Sequence, residues 1–208
     1  MENFRKEILN KIKRIKALSQ NGLSYSESHF DLERFEELDH LSDALFEMIS
    51  GLAISDIRVA LQKEDLYQTP KVDIRAVIFK DRKLLLVCEK SDHRWALPGG
   101  WADIGYSPSE VAVKEVQEEA GLVVKAERLL AVYDKRLHSH PESLLYVYKI
   151  FILCSLVGGE AQAGIDIEAV DFFEADALPE LSVGRNTEAQ ILEMFTFLDA
   201  PDQPPYLD

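Results

Sequence analysis

Residues 99–122, GGWADIGYSPSEVAVKEVQEEAGL, leave the chain few conformations to choose from. Gly99 and Gly100 permit a tight turn and leave backbone carbonyls accessible. The helix that follows has both ends marked. Ser107 caps its start, Pro108 suits the first helical position, Glu110 completes a capping box, and Gly121 supplies a left-handed stop. Ala112, Val113, Val116 and Ala120 form an apolar stripe for packing. Beside it stand Glu115, Glu118 and Glu119, which helical geometry keeps within an arc of roughly 100°. Carboxylates that close repel one another and resist ionising together. A divalent cation removes the conflict, and hard oxygen donors suit Mg²⁺ or Mn²⁺. Taken alone, the same pattern also describes an amphipathic helix with a solvated acidic face.

On either side of this segment the patterning differs. Residues 1–66 read as wholly helical. Phe4, Ile8, Ile12 and Ile15 mark one stripe ended by Asn21-Gly22, and Phe35 to Leu52 mark a second helix. A third is expected around Ile57, Ala60 and Leu61. These helices carry too little sequence for a large private core, so they are expected to pack on the rest of the chain or on a second copy. Lys11, Lys13, Arg14 and Lys16 read as the solvated face of the first helix, the alternative being a patch for RNA, phosphate or an acidic protein surface.

Thr69-Pro70 breaks the helical pattern, because proline excludes helix from its predecessor. Beyond it, in residues 67–208, strands dominate. Val72–Phe79 and Leu84–Cys88 are expected to form a hairpin around Lys80–Lys83, with further strands near 129–134, 145–156 and 170–173. A last helix follows over 187–197, with Thr187 and Gln190 as its capping box. The tail PDQPPYLD is expected to fray unless it docks on a neighbour. Strands with covering helices define an α/β fold, a mixed sheet sandwiched between helices and preceded by a small all-helical domain.

The 99–122 segment resembles the Nudix box, which reads Gly, five residues, Glu, seven residues, then Arg-Glu-apolar-any-Glu-Glu-any-Gly-apolar. Counting from Gly100, the chain matches at Glu115, Val116, Glu118, Glu119, Gly121 and Leu122. Tyr106 stands in place of the first Glu, and Lys114 in place of the Arg. Lys114 keeps the charge but loses the planar fork of donors. Together with TPKVDIRAVIF, KLLLVCEK, HSHP, YVYKIF and LSVGRNTEAQI, the chain is similar to the Nudix subgroup with an extra N-terminal domain. That subgroup hydrolyses X-linked nucleoside diphosphates, with CDP-choline and ADP-ribose as the leading substrates.

The resemblance implies Mg²⁺, or Mn²⁺ in its place, held by Glu115, Glu118, Glu119 and the Gly100 carbonyl. Lys114 accompanies Glu118 and Glu119 in the catalytic set. Glu168 or Asp166, in a glycine-containing segment that could fold over the site, is expected to complete it. His138 and His140 can contact substrate or form a turn set by Pro141. Arg75 and Arg185 can clamp a phosphate or serve as structural ion pairs. Trp101 and Tyr106 are expected to line the pocket and stack on a base, with Trp95 in the core. RNA trimming with the same metals, or nucleotide sensing without turnover, are the alternative activities.

Composition agrees. The formal net charge of −14 over 208 residues argues against a general nucleic-acid binder. RNA is therefore a disfavoured partner, and a homodimer with a small-molecule substrate is expected. Cys88 and Cys154 sit in apolar runs and read as free thiols of a reducing compartment. With no signal peptide and no apolar run of spanning length, the protein is expected in the cytoplasm.

Overall fold

The computed structural model describes residues 2–50 and 68–208. The chain divides into two units, Met1–Pro70 with Glu142–Leu145, and Lys71–Pro141 with Tyr146–Asp208. No described helix is long and apolar enough to cross a membrane.

The first unit pairs α1 (Glu2–Tyr25) with α2 (His29–Ser50). Leu9, Ile12 and Phe46 form its small apolar core, joined by Leu144. Helix α1 runs past Asn21-Gly22 instead of ending there. Gly22 serves as a contact point, since a Cβ on it would lie 2.4 Å from the Phe35 ring of α2. The basic patch is also not a uniformly solvated face. Lys13 is buried and donates to the carbonyls of Ser143 and Leu145, each at 3.0 Å. Lys16 is buried between Asp39 at 2.9 Å and Asp43 at 2.6 Å. The third expected helix lies outside the described residues.

Helix α2 thus turns Asp39, Ser42 and Asp43 inward along with Phe46, and leaves Leu38, Leu41, Leu45 and Met48 exposed. Removing one member of a buried ion pair strands the charge left behind. Lys16→Met is therefore expected to destabilise the protein by about 3 kcal/mol, read as a lower urea midpoint. An unchanged midpoint would show that this cation contributes nothing.

The second unit holds two sheets. One has the order β1 (Lys71–Val77), β6 (Val147–Gly159), β5 (Leu122–Asp134), β8 (Tyr206–Leu207). Strand β1 runs parallel to β6, with Asp73 opposite Lys149, and β5 runs antiparallel to β6. The other sheet orders β2 (Phe79–Lys80), β3 (Lys83–Glu89) and β4 (Arg94–Ala96), with β7 (Ile167–Phe173) on β3.

The expected hairpin is therefore divided between the sheets. The Asp81-Arg82 turn is present, both residues at positive φ as a two-residue hairpin turn requires. Only the two residues of β2 pair with β3. The apolar run changes sheet at Ile78, and β1 joins β6 instead.

Period-two alternation along β3 sends Leu85 and Val87 to one core and Leu84 and Leu86 to the other. Helix α3 (Pro108–Ala120) covers the first with Val111, Ala112, Val116 and Ala120. Helix α4 (Glu188–Asp199) covers the second with Ile191, Met194 and Phe197. Trp95 packs edge-on against Phe173 beside this second core.

The tail docks on its own domain rather than fraying. β8 pairs in parallel with Ala131 and Val132, and the Asp208 side chain accepts from the Asp134 N–H at 2.7 Å. Cys88 and Cys154 are buried free thiols, and burial pushes Cys154 up to about 12.

Candidate active site

Helix α3 forms as its end signals require. Ser107 and Glu110 make the reciprocal capping box, and Gly121 closes the helix at φ 69°. Its last carbonyls meet the 160–166 segment, where the Gln162 N–H donates to Ala120 and the Gly164 N–H to Glu119. A Cβ on Gly164 would stand 2.0 Å from the Glu118 carbonyl oxygen, so only glycine admits this approach.

The turn preceding α3 is fastened to β1. The Ile74 N–H donates to the Gly100 carbonyl at 2.8 Å, and the Ala76 N–H donates to the Pro98 carbonyl at 2.9 Å. Asn186 holds the Leu97 N–H from the other side. The Gly100 carbonyl, expected to be open to a metal, is thus already engaged by β1. Gly99, at φ 146°, points its N–H at Glu119 Oε2, 2.9 Å away.

These pieces wall a cleft of about 480 Å³. Glu115 and Glu119 face it from α3, Gly100 and Trp101 from the turn, and Asp166 from the segment that caps α3. Burial pushes the Glu119 carboxyl up to about 7. The Gly99 N–H and Arg75 oppose that rise, while Glu115 and Glu89 add to it. Burial also raises Glu115, with Glu118 adding to the rise and Lys114 working against it.

A cationic corner of the cleft gathers around Asp73. Arg75 grips Asp73 at 2.9 Å and donates to the Leu97 carbonyl at 3.0 Å, and Lys149 bonds the other Asp73 oxygen. Burial alone would raise Asp73, yet these two cations hold its carboxyl below the usual range. Burial pushes Lys149 down to about 8, with Asp73 opposing and Arg75 reinforcing. Lys135, which opens the 3₁₀ turn after β5, lines the same corner.

The expected site residues separate into two groups. Glu115, Glu119, Gly100, Trp101, Arg75, Arg185 and Asp166 line the cleft. Arg185 does so while bonded to Glu89 at 2.8 Å and to Ser182 at 2.9 Å. The others lie outside it. Lys114 pairs with Glu118 at 3.0 Å on the exposed side of α3. Tyr106 lines a separate groove with Val113, Gln117 and Val123. Glu168 pairs with His93 at 2.7 Å.

The two histidines are engaged elsewhere. His138 packs on Tyr133 and meets Asp208 at 2.9 Å. His140 is buried, and burial pushes it down to about 4. It is therefore neutral, and its Nδ1–H donates to the Val183 carbonyl at 2.7 Å.

Asp73, Glu89, Lys135 and Lys149 belong to the cleft and escaped the sequence reading. One available signal was a lysine at an inward position of the apolar run YVYKIF.

Among the described residues no three His, Cys, Asp or Glu side chains are already gathered to hold an ion. The donor set nonetheless fits a divalent cation. Two carboxylates whose ionisation is opposed face one cleft. A Cβ on Gly100 would lie 2.9 Å from Glu115 Oε1, so glycine keeps that oxygen approachable. Glu118 does not line the cleft and pairs with Lys114 on the exposed side of the helix, an interaction of a kind that contributes just about 0.3–0.5 kcal/mol.

The chain belongs to the Nudix family. Residues 69–195 match the NUDIX domain, and residues 6–61 match a family described as a UDP-X-like, N-terminal oligomerisation domain. It is a Nudix pyrophosphohydrolase, an enzyme acting on acid anhydrides, in a family that generally uses divalent metals.

YjhB of Bacillus subtilis (strain 168), provisionally named an ADP-ribose pyrophosphatase, is 44% identical over 203 residues, 96% of each chain. The ADP-ribose pyrophosphatase of Methanocaldococcus jannaschii is 35% identical over 59% of this chain and 72% of its own. A crystal structure of a UDP-X diphosphatase superposes with a TM-score of 0.63 at 34% identity, covering 98% of this chain and 99% of that one.

Proposed function

We propose that the protein hydrolyses the pyrophosphate bond of a nucleoside diphosphate linked to X, with Mg²⁺, giving NMP and phosphorylated X. The observation that carries this reading is Glu119, half-buried beside Glu115 and aimed into the cleft by the Gly99 N–H. Glu115, Glu118 and Glu119 would hold the ion, Glu118 by releasing Lys114. When bound, the ion neutralises the diphosphate and lowers the pKa of a bound water. The chain's own part is to position the anhydride. Arg75, Trp101 and Asp166 line the same cleft, Arg75 to hold a phosphate, the exposed Trp101 to stack on a base and Asp166 as a base candidate. Water adds to one phosphorus, and the bridging oxygen leaves with the other phosphate.

ADP-ribose and CDP-choline are the substrates to rank first, the names of two relatives favouring ADP-ribose. Product analysis with ADP-ribose, CDP-choline and a nucleoside triphosphate tests this. NMP with ribose 5-phosphate or phosphocholine is expected, lost on chelation and restored by Mg²⁺. Release of nucleotides from RNA with none of these cleaved would overturn it.

Because Glu119 holds a proton up to about pH 7, an ion must displace that proton at lower pH. Apparent Mg²⁺ affinity should therefore rise by up to about tenfold per pH unit below that point and flatten above it. Titrations followed by tryptophan fluorescence at about pH 6 and pH 8 measure this. Equal affinities would remove Glu119 from the ligand set.

The same reading includes a homodimer formed through the helical domain. The exposed Leu38, Leu41, Leu45 and Met48 on α2 and the match to an oligomerisation domain support it. A dimer at micromolar concentration is expected in light scattering, and a monomer would contradict it. The free thiols support a reducing, cytoplasmic setting.

A further inference from the structure

Arg75, Lys135 and Lys149 line one cleft, and the lysines carry more donors than their own contacts use. Asp73 is a single carboxylate shared by Arg75 and Lys149. Lys135 lines the same corner, and among the described residues no carboxylate stands within ion-pair distance of its ammonium. Asp73 is thus the carboxylate bonded to Arg75 and Lys149, while Glu119 and Glu89 act on Arg75 only at longer range. Arg75 is 5% exposed and Lys149 1% exposed, so water screens neither well. Donors left unused in such surroundings favour the arrival of an acceptor that takes them up.

A structural role for Lys149 as the cross-strand partner of Asp73 does not account for its remaining donors or for Lys135. Arg75 already satisfies that carboxylate, and Lys135 has no part in the ladder. Lys149 has three donors and uses one of them on Asp73. Glu115 and Glu119 line the same cleft and, when ionised, repel an anion, which favours its seat at the lysines.

We propose that Lys135 and Lys149, with Arg75, form a phosphoryl-binding corner that grips the substrate diphosphate whether or not metal is bound. The inference rests on the pyrophosphohydrolase reading for its choice of ligand. It assigns specificity for the anhydride to residues outside the acidic helix. Burial, which opposes the charged form of both lysines, is relieved when the phosphoryl oxygens accept their protons in hydrogen bonds. A cationic X group placed near this corner would be repelled, so of the two substrates ranked first ADP-ribose suits the corner better than CDP-choline.

Inorganic pyrophosphate in EDTA at low salt is the probe, with binding read by calorimetry. Wild type is expected to bind it. Lys149→Met and Lys135→Gln should each weaken binding by about 10- to 100-fold, the effect of losing one charge-assisted hydrogen bond. Lys125→Gln, on the distant β5 surface beside Glu127, controls for net charge and should bind as wild type does. If Lys149→Met does not fold, the half-exposed Lys135→Gln carries the test alone.

No binding by wild type, or unaltered binding by the two corner variants, would overturn the proposal. Intact pyrophosphate binding without turnover of any nucleotide would instead remove the functional reading and leave the corner standing.

Discussion

Glu119→Gln is expected to lower kcat by roughly 10²–10⁴-fold while the protein remains folded. The amide oxygen can still accept the Gly99 N–H, so the turn geometry survives. What is lost is the negative charge beside Glu115 that an ion needs. Stability should move in the opposite direction from activity. The folded state holds the Glu119 carboxyl near 7 against an ordinary 4.5. Between those values it keeps a proton that the unfolded chain releases, so stability of the metal-free protein falls as pH rises through this window. Glu119→Gln removes that component. Thermal melts of the metal-free protein across the window, beside steady-state kinetics, measure both effects. Activity within tenfold of wild type would rule out Glu119 as the central ligand.

Gly99→Ala should be the most damaging single methyl in the catalytic unit. A Cβ there would stand 2.0 Å from the Ile74 carbonyl oxygen and 3.0 Å from the Arg75 Cα. Both obstacles are backbone in β1, and the turn is hydrogen-bonded to that strand on either side. The residue also sits at φ 146°, which side chains rarely adopt. Overpacking and backbone strain together cost about 4 kcal/mol. For a chain of this size that lowers Tm by about 8–16 °C. Because the shift displaces Arg75 and the N–H aimed at Glu119 together, activity should fall further than stability alone explains. A variant with wild-type Tm and turnover would mean that the turn can open without cost.

Helix α3 and its caps were readable in advance because each signal acts within a few residues. Ser107, Pro108, Glu110 and Gly121 meet neighbours in their own helix, as do Thr187 and Gln190 in α4. Glu115 and Glu119 reach the cleft for the same reason, their face being fixed by helical period. The cationic corner was not readable. Asp73, Arg75 and Lys149 meet only because β1 and β6 pair in parallel, and no local pattern specifies that partner. His138 illustrates the converse. The short HSHP segment leaves substrate contact and a turn both open, and Asp208 and Tyr133 hold the ring. Gly22 looked like a stop signal because glycine often ends a helix. Only the approach of Phe35 reveals it as a packing site.

The parallel pairing of β1 with β6 has a consequence for biosynthesis. Asp73 and Lys149 are 76 residues apart in the chain. At ordinary rates of synthesis β1 emerges about 4–15 s before the strand it must join. Throughout that interval Val72, Ile74 and Ala76 form an apolar edge without its partner, the kind of surface that invites pairing with another nascent chain. The catalytic unit is thus most vulnerable to aggregation on the ribosome, in the interval between synthesis of its first strand and arrival of the strand that carries Lys149.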